Sequence, residues 1–244
     1  MTVKTIQRGL TLAASFIGVF ALLLAGYWLV YLKAPMFHTN LLRGEDHAIE
    51  WLTFAGFAGA ALFAFLTLRW CKGMDIYTKV YFVGLALFYI LCAGEEISWG
   101  QRVFGFDTPE YMSEVNEQDE FNLHNLKFEH FHPKDVVSWF MKLFGIVLPL
   151  LFIARLRRRD SRLRLYMTHL SVIPCFVFAE VINLLEGPIG RWAAYAGGRD
   201  EARILSLQVE EMVEMYWGLS IMLAMATLYG QWRALKGRSV RSQR

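Results

Sequence analysis

The sequence predicts an all-α polytopic membrane protein: a bundle of six transmembrane helices with both termini cytoplasmic and a long outer loop between the third and fourth spans. Three observations carry this. The 244 residues are 55% hydrophobic with a mean hydropathy of +0.33, too apolar for a domain with a fully solvated surface. Six apolar stretches of about 20 residues each match the roughly 30 Å of a bilayer's hydrocarbon core. The charges then sort by side in the pattern that sets membrane orientation.

The spans are taken in order. The first covers about residues 10–32. Lys4 and Arg8 precede it like the n-region of a signal peptide. The apolar run is too long for an h-region, however, and no small-x-small site closes it, so it reads as an uncleaved anchor. The second covers about 48–70, and its Gly56, Ala58, Gly59, Ala60 and Ala61 form a small-residue face suited to close helix packing. The third runs over about 79–99, the fourth over 136–154, the fifth over 165–185 and the sixth over 209–229. Pro149 and Pro174 mark expected kinks in the fourth and fifth. The whole chain, 1–244, reads as a single integral membrane domain, without internal repeat or soluble domain.

Lys and Arg concentrate at the N-terminus, in the 2–3 loop (Arg69, Lys72, Lys79), in the 4–5 loop RLRRRDSRLR and in the C-terminal tail. Those are the cytoplasmic sides by the positive-inside rule. Beside two spans, the 4–5 loop is a topology determinant that meets anionic lipid head groups rather than a nucleic-acid site. Of the 22 acidic residues, all but Asp75 and Asp160 fall on or near the outer side. The expected location is therefore a bacterial cytoplasmic (inner) membrane with the active face periplasmic or extracellular. Cys71, Cys92 and Cys175 all miss the outer loops, so no disulfide framework is expected.

A carboxylate inside a membrane span is costly and by default functional. Glu50, Glu95, Glu96, Glu180, Glu211 and Glu214 all lie near the outer ends of spans, at similar depth when counted at about 1.5 Å per residue. Glu95, Ser98, Trp99 and Arg102 share a helical face, as do Glu211 and Glu214. Like charges this close need a cation, a shared proton or a donor, and Arg102 and Lys142 are candidate counter-ions. The outer segment 100–135 adds NEQDEFNLHNLKFEHFH, which holds Glu117, Asp119, Glu120, His124, Asn125, Glu129, His130 and His132. Glu129 and His132 form one Glu-x-x-His pair, where di-metal bundles use two. No zinc-protease signature, Walker loop, nucleophile elbow or dinucleotide fingerprint is present.

The segment AGEEISWGQRVFGFDTPEYMSEVNEQDEFNLHN resembles the signature of a family of bacterial polytopic membrane proteins. Its EEISWGQR and NLHN blocks are the specific parts. The resemblance implies a membrane location and a six-span bundle, and it brings no activity with it. A looser similarity runs to the membrane hydrolases that include the alkaline ceramidases, which use Ser, Asp and three His around zinc in a seven-span bundle. Ser98 beside Glu95 and the outer histidines fit that logic, whereas the seventh span and the spaced intramembrane histidines are missing.

The expected function is a metal-dependent hydrolase or transferase working on a lipid or lipid-linked head group at the outer face. His124, Glu180 and Glu214 are the expected ligands of a divalent metal, zinc first, with an open position for water. Glu95, Glu96, Arg102 and Glu211 are the expected catalytic residues. A carboxylate would act as general base and Arg102 would hold a phosphate or carboxylate in its planar fork. Membrane lipids are the expected partners. A non-catalytic scaffold or assembly factor is the alternative, and a proton- or cation-coupled transporter comes third, since polar residues do not descend through the inner halves of the spans.

Overall fold

The computed structural model describes residues 3–33, 48–70, 73–116, 119–126, 133–157 and 162–241. Among them the regular structure is entirely helical, apart from a single antiparallel bridge between Asn116 and Leu126. The long helices are α1 (Val3–Lys33), α2 (Ala48–Trp70), α3 (Ile76–Glu96), α4 (Pro133–Lys142), α5 (Ile173–Gly197) and α6 (Arg199–Arg241). Among the described residues four helical segments, against the six expected spans, are long and apolar enough to cross a membrane: Ala48–Trp70, Ile76–Glu96, Ile173–Trp192 and Leu205–Leu235. In α1 the described apolar stretch is shorter, Ala13–Leu29.

Helix α6 is the axis of the bundle. At about 1.5 Å per residue its 43 residues reach about 65 Å, twice the hydrocarbon thickness of a bilayer. Helix α2 crosses it in backbone contact. A Cβ on Gly56 would lie 2.4 Å from the Gly218 carbonyl carbon, and one on Gly218 would lie 3.0 Å from the Thr53 carbonyl oxygen. Only hydrogen fits between these backbones, so the small-residue face of α2 sets the crossing by dispersion packing rather than by the hydrophobic effect. The α1 helix is held through Phe20, whose ring sits between Phe178 of α5 and Tyr216 of α6. Tyr216 also donates its hydroxyl to the Phe20 carbonyl at 3.0 Å.

The fourth expected span is helical but interrupted. After α4 the backbone widens to a π-helical stretch, Leu143–Val147, then runs on as Leu148–Leu151, turns at Phe152 and resumes as Ile153–Leu156. Pro149 cannot donate back along the helix, and the Thr168 hydroxyl takes the Phe144 carbonyl instead at 3.0 Å. Gly145 in the bulge leaves room for Phe176, whose ring a Cβ there would meet at 2.4 Å.

Pro174 does not kink a span. Helix α5 starts at Ile173, so Pro174 falls in its first turn, where a missing N–H costs nothing. The interior proline of α5 is Pro188. The chain between the fifth and sixth expected spans is helical almost throughout, with Gly198 (φ 93°) as the turn between α5 and α6.

Candidate functional site

The two blocks of the sequence signature fold against each other. The end of α3 breaks at Ile97, and the next residues, Ser98 (φ 46°), Trp99 (φ 53°) and Gly100 (φ 78°), are all left-handed. Ser98 and Trp99 pay a steric cost there that glycine would not, which surrounding bonds must offset. Those bonds come from the loop. Ser98 donates to Glu120 Oε2 at 2.7 Å, and the Asn122 amide donates to Glu120 Oε2 (2.5 Å) and to Ser98 Oγ (3.2 Å). Asn116 in turn donates to the Asn122 side chain and carbonyl at 2.9 and 3.1 Å. Gln101 accepts from the Phe121 N–H at 2.6 Å and donates to Thr108 at 2.7 Å. Ser98, Asn116, Glu120 and Asn122 are all buried, so each polar group needs the partner it has.

Glu95 is the second tie. Its Oε1 accepts from the Trp99 indole at 2.7 Å, and Oε2 accepts the backbone N–H groups of Leu123 (2.5 Å) and His124 (2.9 Å). Gly94 makes room for the Trp99 ring, which a Cβ would meet at 2.9 Å. His124 Nδ1 lies 3.5 Å from Glu95 Oε2, long for a hydrogen bond but close for an ion pair. Burial pulls the His124 pKa down. Glu95 beside it and the charges of Glu214 and Glu120 outweigh that and hold it above the usual imidazole value.

Beneath this loop lies a cavity of about 60 Å³, room for a few waters. It is lined by Glu50 of α2, Glu96 of α3, Glu120, His124 and Asn125 of the loop, Lys134 of α4, and Leu207, Glu210, Glu211 and Glu214 of α6. On α6 the spacing of 207, 210, 211 and 214 puts these residues on one face. Lys134 donates to Glu210 at the rim. Six carboxylates thus share a small space with one lysine and one histidine. Such a group holds protons in common, binds a cation or attracts a cationic group.

The expected site residues divide as follows. Glu96, His124, Glu211 and Glu214 come together in the cavity, and Glu95 stands behind His124 as its support. Glu180 is not among the lining residues: it accepts from the Trp217 indole at 3.1 Å and pairs with Lys142 at 3.5 Å. The Arg102 side chain lies outside the described residues, as do Glu117, Glu129, His130, His132 and Cys71. Among the described residues no three His, Cys, Asp or Glu side chains are grouped as metal ligands. Lys134 was missed by the sequence reading. Its signal was a cation in the first turn of a helix, against the helix dipole.

Four membrane-length apolar helices with a carboxylate-lined cavity at one end have the form of an integral membrane protein with a polar site. No family model matches the chain, and no curated protein or solved structure matches it.

Proposed function

We propose that the protein is a membrane-embedded hydrolase or transferase acting on a lipid or lipid-linked head group. The observation that carries this reading is His124, backed by Glu95 and facing a cavity of carboxylates at the end of apolar helices. In this reading Glu95 holds His124 through its backbone N–H and sets a negative charge beside Nδ1, and His124 moves the proton as general base and acid. Glu96 and Glu211 hold or pass protons beside it. Of the expected ligands of a divalent metal, zinc first, His124 and Glu214 line the cavity while Glu180 is engaged elsewhere, so the reading rests on the proton chemistry of His124 and does not depend on a metal. The proposal includes six spans in a bacterial inner membrane, cytoplasmic termini and a periplasmic cavity, which the distribution of Lys and Arg supports.

The test is incubation of the purified chain with a bacterial lipid extract, followed by mass spectrometry of the products, beside His124→Ala and with metal analysis of both proteins. New head-group products that vanish in His124→Ala are expected. A metal lost in the same variant supports the metal-bound form. Unchanged lipids with both proteins would remove the enzyme reading.

A scaffold is the second reading. The specific observation in its favour is that Ser98, Gln101, Asn116, Glu120 and Asn122 are all bonded to one another or to the loop backbone. Much of the signature is thereby accounted for by folding alone.

A further inference from the structure

We propose that the end of the bundle opposite the cavity is a binding surface for anionic phospholipid head groups. Among the described residues the cations there are Arg69, Lys79, Arg155, Arg157, Arg162, Arg164 and Arg233, and all but the half-buried Arg164 are exposed. No ion pair joins any of them to a carboxylate among the described residues.

This surface is preformed. The hydroxyl of Tyr81 donates to the Tyr166 carbonyl at 2.5 Å, and Tyr166 Oη meets Thr78 Oγ1 at 2.7 Å. Trp232 donates to the Leu165 carbonyl at 2.9 Å. The basic turn Arg162–Leu165 is thus pinned to α3 and α6, and its cations are displayed with little further ordering cost.

Apolar side chains at the same level select the occupant. Lys79 stands among exposed Ile76, Tyr77 and Val80, and Arg155 follows exposed Leu151 and Ile153. Arg69 stacks on the exposed Trp70 ring at 4.9 Å, an interfacial pairing of cation and aromatic. A ligand that covers both halves of this surface has a phosphate and an acyl chain. A soluble anion or a nucleic acid covers only the cations.

The test uses the full chain in mixed micelles of phosphatidylglycerol and phosphatidylcholine, with retained lipid read by native mass spectrometry. Phosphatidylglycerol should be enriched about tenfold over its share, given the attraction of several cations near an anionic surface. Replacing Arg155, Arg157, Arg162 and Arg164 together by Gln should remove most of that enrichment, and replacing them by Lys should keep most of it. The milder pair Arg155→Gln and Arg157→Gln, with its Tm in phosphatidylcholine unchanged, covers a fourfold variant that fails to fold, and it should lower the enrichment measurably. Equal retention of both lipids by the wild type, or undiminished enrichment in a folded variant, overturns the proposal. So does displacement of the lipid by an oligonucleotide at matched phosphate concentration, which would point to a general polyanion surface.

Discussion

The two ends of this bundle are made by the same helices and handle charge in opposite ways. At the Glu96 end the charges point inward, into a cavity roofed by the loop that carries His124. At the Arg155 end they point outward and lack ion-pair partners among the described residues. Inward charge must be met by built partners, since an uncompensated buried charge is expensive. Hence the dense network of Asn, Ser and Gln beside the cavity. Outward charge needs only a rigid display, and Tyr81, Tyr166 and Trp232 supply that through the backbone. The acidic end therefore depends on its hydrogen bonds for its shape, and the basic end depends on them only for its position.

Three changes test that contrast, from the largest effect to the smallest. Asn122→Ala strikes the acidic end where it is most dependent. It removes one bond from each of Asn116 and Ser98 and one from Glu120, leaving Asn116 its bond to the main-chain carbonyl at 122 and Ser98 its bond to Glu120, and a loss of about 2–4 kcal/mol is expected. Limited proteolysis should cut within 116–126 while hydrogen exchange around Tyr166 stays as it was. Equal loosening at both ends would erase the distinction.

Tyr166→Phe is the matching change at the basic end. Thr78 already donates to Asp75 Oδ2 at 2.9 Å, so Tyr166 is the donor in its bond to Thr78. Loss of that bond should cost about 1 kcal/mol in thermal unfolding, leave proteolysis of the loop unchanged and modestly reduce the lipid enrichment.

The smallest effect is one of pH. The His124 pKa is raised in the folded protein, so its contribution to stability is fully present below the unfolded value and is lost as pH rises through the folded value. A metal-chelated sample should lose loop attachment on the alkaline side, and His124→Gln should flatten that limb in Tm against pH. A wild type that instead gains stability on that limb relative to the variant would show that His124 is not held charged by its acidic neighbours.

Much of the site was legible in the chain. Glu96, Glu211 and Glu214 were placed at one depth by counting along spans, and His124 was placed above them by its loop. Glu95 and Glu96 were not distinguishable that way. Adjacent residues on a helix differ by about 100° in direction, so one faces the cavity and the other reaches back to Trp99 and the loop. Glu180 had the right depth and another direction, toward Lys142 and Trp217.

The sequence by itself determined that the chain is helical and apolar enough to span a membrane, and that its acids and bases part along its length; it predicted six spans, and among the described residues four helical segments have the length and hydropathy to cross. Hydropathy and charge order are properties of the chain written along one axis, so one axis is what they resolve. Rotation and contact were decided only in the tertiary structure. The Gly56–Gly218 crossing, the left-handed turn at Ser98 and Trp99, and the locking of one signature block onto the other fix which carboxylates share a cavity. Those depend on how helices turn about their own axes to pack and on which buried polar groups find partners, and both are settled by neighbours distant in sequence.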